Sequence, residues 1–311
     1  MHIIMSIILI HIGDLFPTYI NDCIRQLRVF NEDMQIYVLL EKKHHDKITE
    51  NTIILIDLNE LNDDTYTKTY LEQNKRKHNS LMQFRSGFWI YTTLRFFYIR
   101  KFMEKNKLSN VFHFENDMMV YMDLTKNLSK FTENYEEFAI TMHSDTSCVP
   151  AFMFIKDQTA INKLVEFMMH NKFNTDMDLL ASFKEHSPQT KVLPVVYPDY
   201  IKNNELISLT KVKSKNPLNY IYNYDIFLSI FDAAYIGQYV GGIDPRNTVS
   251  DKSTIGFING EAPIQCNKFE EIKWITDNGD RKIPTVLVNG KNIKINNLHI
   301  HSKKLHLYSS L

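Results

Sequence analysis

Ile3-Ile-Met-Ser-Ile-Ile-Leu-Ile-His-Ile12, closed by Gly13-Asp14, is the stretch on which the fold turns. Its residues are β-branched or long and apolar without polar alternation, which predicts a strand buried on both faces and stopped by a glycine turn. Pro17 then opens a helix whose apolar positions Ile20, Cys23, Ile24, Leu27 and Phe30 keep a 3.6-residue period. A second apolar run, Ile36-Tyr-Val-Leu-Leu40, follows a short polar stretch. Strand, helix, strand is a βαβ unit, and its handedness implies a parallel sheet. Ile53-Ile-Leu-Ile56 is a third strand by the same reading.

Further along, residues 59–80 are polar and charged and predict a flexible or partly helical surface excursion. Phe84 to Met103 reads as a long helix, free of Gly and Pro after Gly87, with Phe88, Arg95 and Phe102 along one stripe. Val111-Phe-His-Phe-Glu115 is a short strand running into Asn116-Asp117, with Met118–Met122 as a second piece. Strands at Phe138–Met142 and Ala151–Ile155, helices at 157–170 and 175–186, and a strand at Val192–Tyr197 come next. The pattern dissolves over 199–282 into aromatic-rich, loop-like sequence, and Asn297–Lys303 looks like one more strand. No repeat, low-complexity tract or linker interrupts the chain. It reads as a single α/β domain over 1–311, with halves at 1–122 and 123–311 and a mostly parallel sheet flanked by helices.

Thirty-six Lys and Arg stand against 36 Asp and Glu, with 44% of residues hydrophobic. That balance excludes a cationic nucleic-acid surface and a charged disordered tail. An anionic ligand must therefore be held by a few placed cations and not by the field of the whole protein. The three cysteines, Cys23, Cys148 and Cys266, are too few and too scattered for a disulfide framework or a zinc knuckle. The apolar N-terminus has no basic flank and no small-residue cleavage site, so no signal peptide is predicted. No apolar run approaches the roughly 20 residues that cross a bilayer, and a cytoplasmic protein is expected.

Neither common phosphate loop is present: there is no Gly-x4-Gly-Lys-Ser/Thr, and His11-Ile-Gly13 offers a single glycine after the first strand. A bound nucleotide would need a divalent metal on carboxylates plus a few Lys or Arg. Glu115-Asn116-Asp117 suits that need, because carboxylates at i and i+2 on a strand end project to one side, although such pairs also occur on plain solvated strand ends. His299, His301 and Lys303 would share one face of a strand, as two imidazoles for a transition-series cation and an ammonium for a phosphate, or as incidental surface residues. Arg95 within an apolar stripe needs an anion, either a structural Asp or a ligand phosphate, and Arg85 and Ser86 could assist. Asp176 and Asp178 open a helix, where they either complement its dipole or offer a general base. His143 and Asp145 carry the same ambiguity.

The order of these pieces resembles the GT-A-type glycosyltransferases that use nucleotide sugars, through Ile8–Asp14, Phe88–Arg95, Val111–Tyr121 and Leu298–Lys303. The segment Phe231–Asn247, with Gly237-Gln-Tyr and Gly241-Gly242-Ile-Asp-Pro-Arg-Asn, is similar to one in uncharacterised bacterial and viral members of that group. The resemblance implies a GT-A, Rossmann-like fold, with donor binding by 1–122, including His11, Gly13, Arg95 and Asn116, and acceptor binding by 123–311. It implies Mn²⁺ or Mg²⁺ on Asp117 with a C-terminal histidine, His301 favoured over His299, and Glu115 nearer the ribose. Glu115 departs from the Asp usual in that motif. Lys303 would meet the diphosphate, a glycan or glycoconjugate would be the acceptor, and Asp176 or Asp178 would be the base in an inverting reaction. Aromatics over 197–240 could stack on sugars or form core, and Gly241-Gly242 would permit close approach to a ligand. Two competing functions remain: a metal-dependent hydrolase built on His113, Glu115, Asp117, His299 and His301, and a non-catalytic glycan- or partner-binding module.

Overall fold

A computed structural model describes residues 5–62, 64–75, 85, 87–171, 175–247 and 254–311. The opening unit forms as its periodicities dictate. Strand β1 (Ser6–Ile10) is buried at every position, helix α1 (Ile20–Phe30) turns Ile20, Cys23, Ile24, Leu27 and Phe30 inward, and β2 (Gln35–Leu40) returns parallel to β1. Strand β3 (Ile54–Asp57) adds in parallel beside β2. The polar excursion contains α2 (Thr65–Lys75).

The long helix α3 spans Phe88–Asn106 and begins later than its composition suggested. Gly87, at φ 93°, takes the left-handed turn that precedes it, and Lys107, at φ 53°, ends it. Phe88 is 37% exposed, so the inward stripe holds Arg95 and Phe102 without it. Ser86 and Phe84 lie outside the described residues.

Strand β4 (Val111–Phe114) joins β1 in parallel, pairing Leu9 with Phe114, and β5 (Met118–Val120) and α4 (Leu124–Thr132) follow. A long hairpin, β6 (Phe138–Ser144) and β7 (Ser147–Ile155), replaces the two shorter strands expected, and narrows the polar loop to Asp145-Thr146. Helices α5 (Gln158–His170) and α6 (Asp176–His186) form as expected. Strand β8 (Lys191–Val192) is only two residues, since Val195 and Val196 turn their N–H groups to the Tyr220 carbonyl instead of a ladder.

The central sheet has seven strands in the order β3-β2-β1-β4-β7-β6-β8, and β7 alone runs against the rest. The mostly parallel α/β sheet is therefore as expected. The chain passes from β1 to β2 on one side and later to β4 on the other, so a crevice opens between the carboxyl ends of β1 and β4, the usual ligand position in such sheets.

The stretch 199–295 is more regular than it reads. It holds α7 (Pro198–Asn203), α8 (Tyr224–Phe227), β9 (Ser229–Ile230) and α9 (Tyr235–Gly241), then a meander of β10 (Glu271–Thr276), β11 (Lys282–Val288) and β12 (Lys291–Ile295). These strands build a second sheet, β10-β11-β12-β9. The last strand, β13, stops at His299 and covers only Asn297–His299. Phe227 and Phe231 pack edge-on with Phe131 and Phe152 in the core, which assigns these two aromatics to packing and not to sugar stacking. The three cysteines are buried and unpaired. No helix among the described residues is long and apolar enough to cross a membrane.

Candidate active site

The crevice between β1 and β4 is lined by the two segments singled out in the sequence. At the end of β1, Gly13 sits at φ 140°, and its carbonyl faces His44 Nε2 at 3.1 Å. His11 lies 5.7 Å from His44, ring to ring. Burial, and then the His44 ring, lower the His11 pKa to about 4, so the imidazole is neutral near pH 7. At the end of β4, Asn116 donates from Nδ2 to the Ile10 carbonyl at 2.9 Å and ties the acidic turn to β1. His11 Nε2 and Asn116 Oδ1 are buried without a hydrogen-bond partner among the described residues.

The C-terminal segment reaches this turn through a short antiparallel ladder in which β13 lies against β5 with His299 opposite Met118. Ile300 N–H donates to the Asp117 carbonyl at 2.9 Å and locks the register. His299 Nε2 consequently stands 3.1 Å from Asp117 Oδ2 and 3.2 Å from Glu115 Oε2. Lys303 pairs with Asp117 Oδ2. The strand ends at His299, so His299, His301 and Lys303 do not share a strand face as expected. The chain turns, and Lys303 takes φ 62° to bring its ammonium back to Asp117. His301 lies behind His299, with its Nε2 3.2 Å from His299 Nδ1.

Charge in this cluster is tightly held. Burial opposes ionisation of Asp117, but His299 and then Lys303 hold its carboxyl well below the ordinary range. Burial likewise opposes Glu115, and Arg95 followed by His299 outweighs it and lowers its pKa. His299 pays for burial but gains more from Asp117 and Glu115, which raise its pKa to about 10. Burial, His299 and Lys303 together press His301 far down, leaving it neutral.

Behind Glu115 stands Arg95. Its guanidinium bridges Glu115 Oε1 and Asp176 Oδ2, each at 2.5 Å. The anion that Arg95 requires is thus supplied by two carboxylates of the protein. Asp176 is 2% exposed at the first turn of α6, and there burial raises its pKa against the pull of Arg95. It is locked as a brace, whereas Asp178, two residues on, is half-buried and has no side-chain link to the cluster among the described residues.

Asp117, His299 and His301 each offer a ligand atom, and these atoms lie within 4.8 Å of one another. One carboxylate oxygen with two imidazole nitrogens is a donor set that suits a borderline divalent ion such as Mn²⁺. Among the described residues Glu115 lies outside this set; Arg95 holds one of its oxygens and His299 Nε2 stands 3.2 Å from the other. His113 is also outside it: fully buried on β4, its Nδ1 donates to the Ile8 carbonyl at 2.9 Å. The set thus contains three of the five residues that a hydrolase centre was expected to use. His143 is bonded to the Ala233 carbonyl, and Asp145 accepts from Ser214, Lys215 and Tyr220, so Asp145 is structural. Arg85 pairs with Asp244 at 3.5 Å.

Three participants had no assignment from the sequence. Tyr19 lies under the Lys303 ammonium at 5.4 Å. Asp232, completely buried, accepts N–H groups from Ile236 and Gly237 at 2.8 Å and from His299 at 2.9 Å. Gln238 Nε2 faces His301 Nδ1 at 2.7 Å. Asp232 and Gln238 were signalled by the glycine-rich segment around Gly237, whose closeness to His299 explains it: a Cβ there would run into the His299 carbonyl.

No family model matches the chain, and neither does any curated protein. Among solved structures it is similar to mouse xyloside xylosyltransferase 1, at TM-score 0.44 and 9% identity over 64% of this chain and 90% of that one. It is also similar to the galactosyltransferase LgtC, at 0.40 and 11% over 69% and 81%. A cytidylyltransferase from Leptospira borgpetersenii matches at 0.38 and 12% over 64% and 79%.

Proposed function

We propose that this chain is a divalent-metal-dependent glycosyltransferase that moves a sugar from a nucleoside-diphosphate sugar to a hydroxyl of a glycan or other acceptor. The observation that carries the proposal is the convergence of Asp117, His299, His301 and Lys303 at the carboxyl ends of β1 and β4, in a sheet without a phosphate loop. A divalent cation, when bound, would neutralise the donor diphosphate and the charge that develops on it as it leaves.

The remaining roles fall to side chains of the protein. Asp117, His299 and His301 would hold the cation, and His299 would then release to solvent the proton it carries between the two carboxylates. Lys303 adds a second positive charge beside the leaving diphosphate. Arg95 keeps Glu115 ionised and oriented toward the ribose side of the site. The unpaired Asn116 Oδ1 and His11 Nε2 are polar atoms suited to the nucleoside. If the configuration inverts, Asp178 is the candidate for the acceptor proton, since Asp176 is committed to Arg95.

The test is a panel of nucleotide sugars with Mn²⁺, reading release of the nucleoside diphosphate. Asp117→Ala should abolish the metal-dependent release while the fold survives, and full activity in that variant would end the metal role. Thermal stabilisation by Mn²⁺ should grow when a nucleoside diphosphate is added with it; a shift that the nucleoside diphosphate leaves unchanged would favour a hydrolase.

A further inference from the structure

We infer that Gln238 is a positioning residue that selects which ring nitrogen of His301 faces the metal position; the inference rests on the metal reading above. Gln238 is 6% exposed on α9. Its amide contacts His301 Nδ1 at 2.7 Å, and its Oε1 accepts from Asn259 Nδ2 at 3.4 Å. The helix that carries it cannot drift. Asp232 caps two of its N–H groups and takes the His299 N–H with the same carboxylate, and Gly237 lets the helix backbone touch that of His299.

This arrangement fixes the chemistry of His301. An amide nitrogen facing Nδ1 would leave that atom bare and put the His301 proton on Nε2, toward His299 Nδ1 at 3.2 Å. Metal ligation by Nε2 requires the opposite tautomer, with the proton on Nδ1 and an acceptor facing it. A primary amide can provide either partner by turning over, and Asn259, itself an amide, can turn with it. A carboxylate at position 238 provides only the acceptor, which is the metal-binding arrangement. A thioether provides neither.

The experiment is calorimetric titration of Mn²⁺ into the wild-type chain, Gln238→Met, Gln238→Glu and Asp117→Asn, with melting temperatures measured without metal. Gln238→Met preserves the side-chain length and should weaken Mn²⁺ about 10- to 100-fold, the cost typical of losing such an outer partner. Gln238→Glu should bind at least as tightly as wild type. Wild-type affinity in Gln238→Met, with Asp117→Asn unable to bind, overturns this inference alone. Equal loss in the Met and Glu variants overturns it too, because packing and not the hydrogen bond would then matter. Wild-type affinity in Asp117→Asn overturns the metal reading and this role with it. Should Gln238→Met fail to fold, the Glu variant decides: retained affinity supports the acceptor role, and a loss refutes it.

Discussion

Arg95→Met removes the guanidinium that bridges Glu115 and Asp176 while keeping most of the apolar stem. Both ion pairs are short and largely buried, with the Arg95 side chain 9% exposed and that of Asp176 3%. At charge separations of about 4 Å and an effective dielectric near 20, each pair is worth about 4 kcal/mol before costs. Desolvation of the guanidinium and repulsion between the two carboxylates offset much of that sum. Removing one member of such a buried set strands the others, and the expected net loss is about 3–5 kcal/mol. Urea unfolding near pH 7.5, followed by tryptophan fluorescence and circular dichroism, reads it directly. The sign of the pH dependence follows from Asp176, whose folded pKa burial already raises and loss of Arg95 raises further: it takes up a proton on folding, so the deficit must shrink as the pH falls toward 5. Adding Asp176→Leu to Arg95→Met should recover part of the loss, because one stranded charge is gone. A deficit below about 1 kcal/mol, or one unchanged between pH 7.5 and 5, would refute the brace; typical surface changes are that small.

Two further outcomes follow from the same geometry. His113 is neutral in its buried site, with a pKa lowered by burial and then by Arg95 from 6.5 to about 3, so its contribution is complete above pH 6.5 and lost as the pH falls below it. Between pH 8 and 5 wild type should lose about 2 kcal/mol more unfolding free energy than His113→Gln, and identical pH profiles would refute the neutral imidazole. Gly237→Ala should destabilise by about 1–3 kcal/mol and weaken Mn²⁺ binding together, since the new Cβ must push α9 off His299; a wild-type melting temperature in that variant would show that the contact is not tight.

Much of the site was legible because its signals are local. Glu115-Asn-Asp117 at a strand end and His299-x-His301-x-Lys303 are each readable from spacing, and both arrive at one point. The strand assumed for the second motif was wrong beyond His299, yet a turn at Lys303 delivers the ammonium to the same carboxylate. The meander over 271–295 escaped because its strands mix Glu, Lys and Asn into half-exposed positions, which blurs the alternation. A local signal was nevertheless available there: Asn289-Gly290, at φ 51° and 75°, is a two-residue turn that joins β11 to β12.

What the sequence determined by itself is what depends on near neighbours. Apolar periodicity set the βαβ opening and the parallel sheet, and charge neutrality demanded that any anion be met by cations concentrated at one place. Tertiary structure decided how the charges are shared. Glu115 and Asp117 differ by two positions in the chain, but Arg95 and Asp176 claim the first while His299 and Lys303 claim the second. Asp232 and Gln238 enter the site only because α9 lies against β13. Those partnerships join segments distant in sequence, and no local spacing encodes them; they follow from which faces the core brings together and from the cost of burying a charge unpaired.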